Sequence, residues 1–199
     1  MRVSHDRRAV GVPARQAGGP NLRLLAAHVI LTLGARRREI ERLFARTAAA
    51  FGSPVPPRRT RGARGRLREY ALFTRDSAEE ALGGGGNLPA LDRRLFRAAQ
   101  ALGGDYRCRL RVRDTRDAMA AARLIYRGLG IDFRGSADGQ VVIRRCAFAQ
   151  VYAPRVCALV SALDRGLLAG LTGGGELEFR QRITEGADAC RACFTEAIQ

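Results

Sequence analysis

The stretch Ile131–Cys146, IDFRGSADGQVVIRRC, decides the fold class. Ile131 to Phe133 and Val141 to Ile143 are short apolar runs, and between them Ser136-Ala137-Asp138-Gly139 supplies an Asp-Gly pair. Tight hairpin turns favour that pair because a residue without Cβ adopts positive φ at no steric cost. The segment therefore predicts a β-hairpin. Before it the apolar periodicity is helical. Asp114 to Leu129 opens on a capping Asp-Thr, carries Met119, Ala122, Leu124, Ile125 and Tyr126 along one stripe, and stops at Gly130. Arg66 to Leu82 and Leu88 to Leu102 predict two more helices, parted by the glycines Gly83 to Gly86, whose backbone entropy opposes a helix. That glycine run has no strand before it and no Lys-Ser or Lys-Thr after it, so it reads as a linker and not as a phosphate cradle.

Tyr106 to Val112 alternates apolar residues with Arg and predicts a half-buried strand with Tyr106, Cys108, Leu110 and Val112 inward. Beyond the hairpin, Pro154 to Leu171 predicts one helix, with Pro154 in the first turn where a missing amide proton is harmless, ended by Gly173 to Gly175. Leu177, Phe179 and Ile183, then Ala192 to Ile198, predict two closing strands paired through a turn at Gly186. Helices come first and strands mixed with helices follow. This is an α+β order: a helical N-terminal half, then a C-terminal mixed antiparallel sheet with packed helices.

Outside that half, Met1 to Pro20 lacks periodicity and is expected to be a disordered leader. From Asn21, an N-cap, Leu24, Leu25, His28, Leu31, Ile40, Leu43 and Phe44 recur at helical steps as far as Gly52, with Gly34 a candidate break. Ser53 to Gly65, SPVPPRRTRGARG, predicts an exposed connection whose Arg cluster is the best local candidate for an anionic contact. The expected organisation is a leader (1–20), a helical segment with its linker (21–65) and an α+β domain (66–199).

Composition bounds the function classes. A chain of 199 residues, 46% hydrophobic and 27% charged, suits a soluble globular domain and excludes fibrous and disordered classes. No stretch approaches the roughly 18 apolar residues of a membrane span. The richest, Leu22 to Leu33, is interrupted by Arg23 and His28 and is followed by no small-residue cleavage site, so we expect a cytoplasmic protein with no membrane contact. A net charge of +16 would suit a polyanion partner. Every basic residue is Arg, however, spread along the whole chain as a GC-rich genome imposes, and Arg93, Arg94 and Arg97 read as a solvated helix face. We expect no nucleic-acid partner.

Cysteine carries the most specific chemistry. Cys108 reads as a small buried hydrophobe. The other four fall as Cys146-x10-Cys157 and Cys190-x2-Cys193. In a cytoplasmic chain that leaves buried thiols, a metal or cluster site, or a reactive nucleophile. A Cys-x2-Cys pair in a tight turn can bite one metal, whereas on a strand residues i and i+3 point to opposite faces, which forbids it. A Cys-His arrangement has little to draw on, because only His5 and His28 exist, the first in the expected leader and the second on an apolar stripe. A helix N-terminus or nearby Arg also favours thiolate, and Cys157, one turn after Pro154 and near Arg155, is best placed for that. Cys157, Ser161 and Asp164 follow one another at helical steps on about one face. Arg180 and Arg182, on a predicted strand, share a face and could fork one substrate carboxylate.

These residues also resemble a family. Arg145-Cys146-Ala147-Phe148, Tyr152-Ala153-Pro154, Val156-Cys157, Ser161-Ala162-Leu163-Asp164 with Gly166, Gly170 and Leu171, and Arg182-Ile183-Thr184-Glu185-Gly186 with Cys190 are similar to the L-2-amino-thiazoline-4-carboxylic acid hydrolase-like proteins. Leu124-Ile125-Tyr126 with Leu129-Gly130-Ile131 adds to the likeness, which spans about Leu67 to Ile198. A broader similarity reaches 4-vinyl reductase domains and the effector halves of certain winged-helix repressors, relatives that include iron–sulfur sensors. The resemblance implies a hydrolase that opens a small carboxylated cyclic amidine or amide with water. Our chemical assignment for it is Cys157 as nucleophile or ligand, Asp164 for proton transfer, and Arg182, Arg180 and Ser161 for the substrate, with no cofactor required. The alternative is a non-catalytic sensor or binding module in which Cys146, Cys157, Cys190 and Cys193 hold zinc or an iron–sulfur cluster.

Overall fold

The hairpin forms where the Asp-Gly pair predicts it. In the computed structural model, which describes Asn21, Leu24 and residues 36–197, β1 (Ile131–Gly135) turns through Gly139, at φ 85°, into β2 (Gln140–Cys146). A side chain at Gly139 would collide with the Phe194 carbonyl of the neighbouring strand, and this close approach requires the glycine as much as the turn does. The expectations for residues 1–20, for His5 and His28, for Leu25, Leu31 and Gly34, and for Ile198 lie outside the described residues.

Four helices precede the hairpin: α1 (Arg36–Phe51), α2 (Gly62–Gly83), α3 (Leu88–Leu110) and α4 (Thr115–Gly128). After it come α5 (Pro154–Val160), α6 (Ala162–Thr172), β3 (Glu176–Gln181), a 3-10 turn (Ile183–Glu185) and β4 (Cys190–Thr195). The chain is α+β. Its sheet has the order β1-β2-β4-β3 and is antiparallel throughout. The Asp114 cap read from sequence acts as such, accepting from Asp117 N at 2.8 Å to start α4; the structure adds Asn87, which accepts from Ala90 N at 2.9 Å to start α3.

The strand expected over Tyr106 to Val112 is instead the last turns of α3 and its exit. Leu91, Leu95, Ala99, Leu102, Gly103 and Tyr106 form one buried helical stripe, and Cys108, expected inward, is exposed. Gly103 and Gly104 do not break the helix. Gly103 lies against the backbone of α6 at Leu167 and Gly170, so closely that a Cβ could not be fitted. The helix ends at Arg111, in the left-handed conformation (φ 51°), and Asn21 Nδ2 donates to the Leu110 and Arg111 carbonyls (3.2 and 3.1 Å). The single helix expected from Pro154 to Leu171 is two, parted at Ser161. Ile183, expected on a closing strand, belongs to the 3-10 turn.

Along each strand buried and exposed residues alternate, so one sheet face packs on helices and the other faces out. Phe133, Val141, Leu177, Ala192 and Phe194 point in. Helices α4 and α6 lie next to this face, α3 packs along α6, and α1 and α2 pack farther out, α1 on both α2 and α3. Arg66 ties α1 to α2: its buried guanidinium donates to Glu41 (2.9 Å) and Glu69 (2.8 Å) and lies 4.3 Å over the Phe44 ring. Ile40 and Phe44 of α1 join the same core as the sheet. Among the described residues no helix is long and apolar enough to cross a membrane.

Candidate functional site

A cavity of about 300 Å³ opens between the helices and the inner sheet face, and most of its wall is hydrocarbon. Residues distant in sequence give it one polar region: Cys146 from the end of β2, Cys157 from α5, Ser161 between α5 and α6, Asp164 from α6, Arg182 and Thr184 from the turn after β3, and Cys190 from β4.

Asp164 is the centre of that region. It sits in the first turn of α6, and its Oδ1 accepts a hydrogen bond from Tyr126 OH of α4 at 2.7 Å. It does not turn to solvent or pair with its neighbour, since Arg165 forms an ion pair with Asp92 of α3. Burial pushes the Asp164 carboxyl up to about 6, against the Tyr126 hydrogen bond and the Arg182 and Arg165 charges, which favour the anion. Its value thus lies closer to neutrality than that of an ordinary aspartate. Tyr126 is raised in turn by its own burial and by the Asp164 charge, so it stays a donor.

Arg182 reaches the cavity because β3 carries a bulge. Phe179 pairs with Ala192 and Gln181 with Arg191, so one residue is inserted between them and the facing is reversed beyond it. The expected sharing of one face by Arg180 and Arg182 fails for this reason. Arg180 is exposed and does not line the cavity, while Arg182 is mostly buried and does. The Arg182 guanidinium lies 4.7 Å over the Phe179 ring, approaches Glu185 at 3.6 Å, and donates to Ser161 Oγ at 3.4 Å. Its Nε is buried and has no hydrogen-bond partner among the described residues. Ser161 is engaged on its other side, donating to the Ala158 carbonyl at 2.6 Å.

Three of the four cysteines line the cavity as free thiols. Burial pushes the Cys146 thiol up to about 12, and it also raises Cys157 and Cys190, each with the Asp164 charge adding to the effect. The expectation of a thiolate at Cys157 is thus corrected. Helix α5 has only seven residues, and desolvation of the sulfur outweighs the help from the Thr184 hydroxyl and the Arg182 charge. Cys190 Sγ accepts the Ile183 amide at 3.3 Å.

Cys193 lies elsewhere. On β4 it alternates away from the buried Cys190, Ala192 and Phe194, and its Sγ accepts a hydrogen bond from Gln140 Nε2 at 3.8 Å. The four-cysteine zinc or cluster site therefore does not assemble, and among the described residues no three His, Cys, Asp or Glu side chains come close enough to hold a metal ion. The sequence reading brought Cys157, Ser161, Asp164 and Arg182 to one site and the structure does the same, without Arg180. It missed the pairing of Tyr126 with Asp164. Periodicity places Tyr126 on an apolar stripe, and a hydroxyl at the end of such a stripe is the signal of a polar partner. Comparison with protein-family models, with curated proteins and with solved structures finds no match to this chain.

Proposed function

We propose that the protein hydrolyses a small cyclic amidine or amide that carries a carboxylate. The observation that carries this reading is the presence, on the wall of one largely apolar cavity, of a buried carboxyl raised to about 6 and of an arginine whose Nε has no partner among the described residues. Arg182 receives the substrate carboxylate through its guanidinium, which lies over the Phe179 ring. Asp164, fixed through Oδ1 by Tyr126, takes a proton from water through Oδ2 as that water adds to the electrophilic ring carbon. The bond from that carbon to a ring heteroatom then breaks, and the proton passes from Asp164 to the departing heteroatom. The thiols of Cys146, Cys157 and Cys190 stay protonated and shape the pocket. Five of the residues that carry the family resemblance, Cys146, Cys157, Asp164, Arg182 and Cys190, line this cavity, and this supports the reading.

The test is ring opening of 2-amino-thiazoline-4-carboxylate by the full chain and by Asp164→Asn. The substitution keeps an oxygen for Tyr126 but removes the base, so turnover should fall by about 10²- to 10⁴-fold with substrate binding retained. Full activity in Asp164→Asn would end the assignment.

A further inference from the structure

The hydrolytic reading uses only the polar region of the cavity. The wall that α1 and the end of α4 contribute includes Ile40, Leu43, Leu124, Ile125 and Leu129. Polar groups on the same wall are engaged within the protein: Tyr106 OH donates to Glu39 Oε2 at 2.5 Å, and Arg36 Nε donates to the Gly128 carbonyl at 2.7 Å. Apart from these groups and the exposed Arg127, what that wall offers a ligand is hydrocarbon. Leu43, Leu124, Ile125 and Leu129 are only partly buried although they pack against the core, so each keeps surface that an occupant could cover. A carboxylated ring alone would satisfy Arg182 and leave this surface bare, and apolar surface removed from water is the main source of affinity in such sites.

We propose that the substrate carries an apolar arm, an alkyl or aryl substituent remote from its carboxylate, which seats against Leu43, Leu124, Ile125 and Leu129 while Arg182 holds the carboxylate. This rests on the carboxylate-binding reading given above. The cavity, at about 300 Å³, lies at the small end of ligand sites, which run from roughly 300 to 1,000 Å³, so the arm is short.

Straight-chain carboxylates separate the two halves of the proposal. Butanoate, hexanoate, octanoate and decanoate would be titrated calorimetrically into the full chain, into Arg182→Met and into Leu124→Trp, with Leu43→Trp as the substitute should Leu124→Trp fail to fold. Affinity should rise by about fourfold per added methylene until the cavity is full and then level off. Arg182→Met should weaken every length by a similar factor. Either tryptophan should lower the octanoate-to-butanoate affinity ratio by about tenfold, since it occupies roughly the room of two methylenes or more. Binding that depends on Arg182 but not on chain length would overturn the arm and leave the carboxylate reading standing. A chain-length gain that neither tryptophan touches would overturn the assigned wall. No Arg182-dependent binding at any length would remove the carboxylate reading, and the arm with it.

Discussion

Asp164 shows how one residue's surroundings set both its chemistry and its cost to the fold. Burial holds its carboxyl up near 6, from a usual aspartate value of about 4, so ionising it in the folded state costs on the order of 2–3 kcal/mol. Because the folded-state value lies above the unfolded one, the contribution to stability is fully present below about pH 4 and is lost as pH rises through 6. Asp164→Asn mimics the protonated form and keeps an acceptor for Tyr126. We predict that it raises the urea midpoint at pH 8, by about 2 kcal/mol of stability, and leaves it nearly unchanged at pH 4. Lower stability of the variant at pH 8 would mean that the buried anion is favoured after all. Part of this site was legible in the sequence, since Cys157, Ser161 and Asp164 follow one another at helical steps. The Tyr126 partner was not, because it comes from a helix 38 positions away and only tertiary packing brings the two together.

Among the elements, α3 and α6 determine how close the layers can come. Gly103 of α3 and Gly166 and Gly170 of α6 sit where a Cβ would strike the facing backbone, which cannot step aside as a side chain can. Gly103→Ala should therefore destabilise by about 2–3 kcal/mol through overpacking. Gly104→Ala, with open space at its Cβ, should be neutral or gain up to about 1 kcal/mol of helix propensity. Urea unfolding of the two variants checks the pair, and equal effects would contradict this account of the interface. The same glycines explain why α3 was misread. Two adjacent glycines followed by alternating Tyr106, Cys108, Leu110 and Val112 look like a helix end and a strand, yet Tyr106 also continues the helical stripe of Leu95, Ala99 and Leu102. Local pattern fitted both structures, and the close contact with α6 decided between them. The hairpin left no such ambiguity, because Asp138-Gly139 fixes its turn. The bulge after Phe179 had no sequence signal, and it alone separates Arg180 from Arg182.

At the scale of the whole molecule, the +16 charge and the cavity are connected through how arginine is used. Several arginines serve the fold: Arg66 is buried between Glu41 and Glu69, Arg165 pairs with Asp92, and Arg36 closes on the Gly128 carbonyl. Arg182 differs from these in having a buried nitrogen with no hydrogen-bond partner among the described residues. Helices on one side and an antiparallel sheet on the other wall off the space in which it meets Asp164, and the order of helices and strands in the sequence is enough to predict those layers. The thiols in that space are held neutral by burial, which leaves Asp164 as the group that titrates near pH 6. The measurement that tests this most directly is the pH dependence of kcat/KM for ring opening of 2-amino-thiazoline-4-carboxylate. The account predicts a rate that rises tenfold per pH unit below about pH 6 and levels off above it, as the Asp164 carboxylate forms. A rate that stays low through pH 6 and climbs only in the alkaline thiol range would contradict it and return the chemistry to a cysteine.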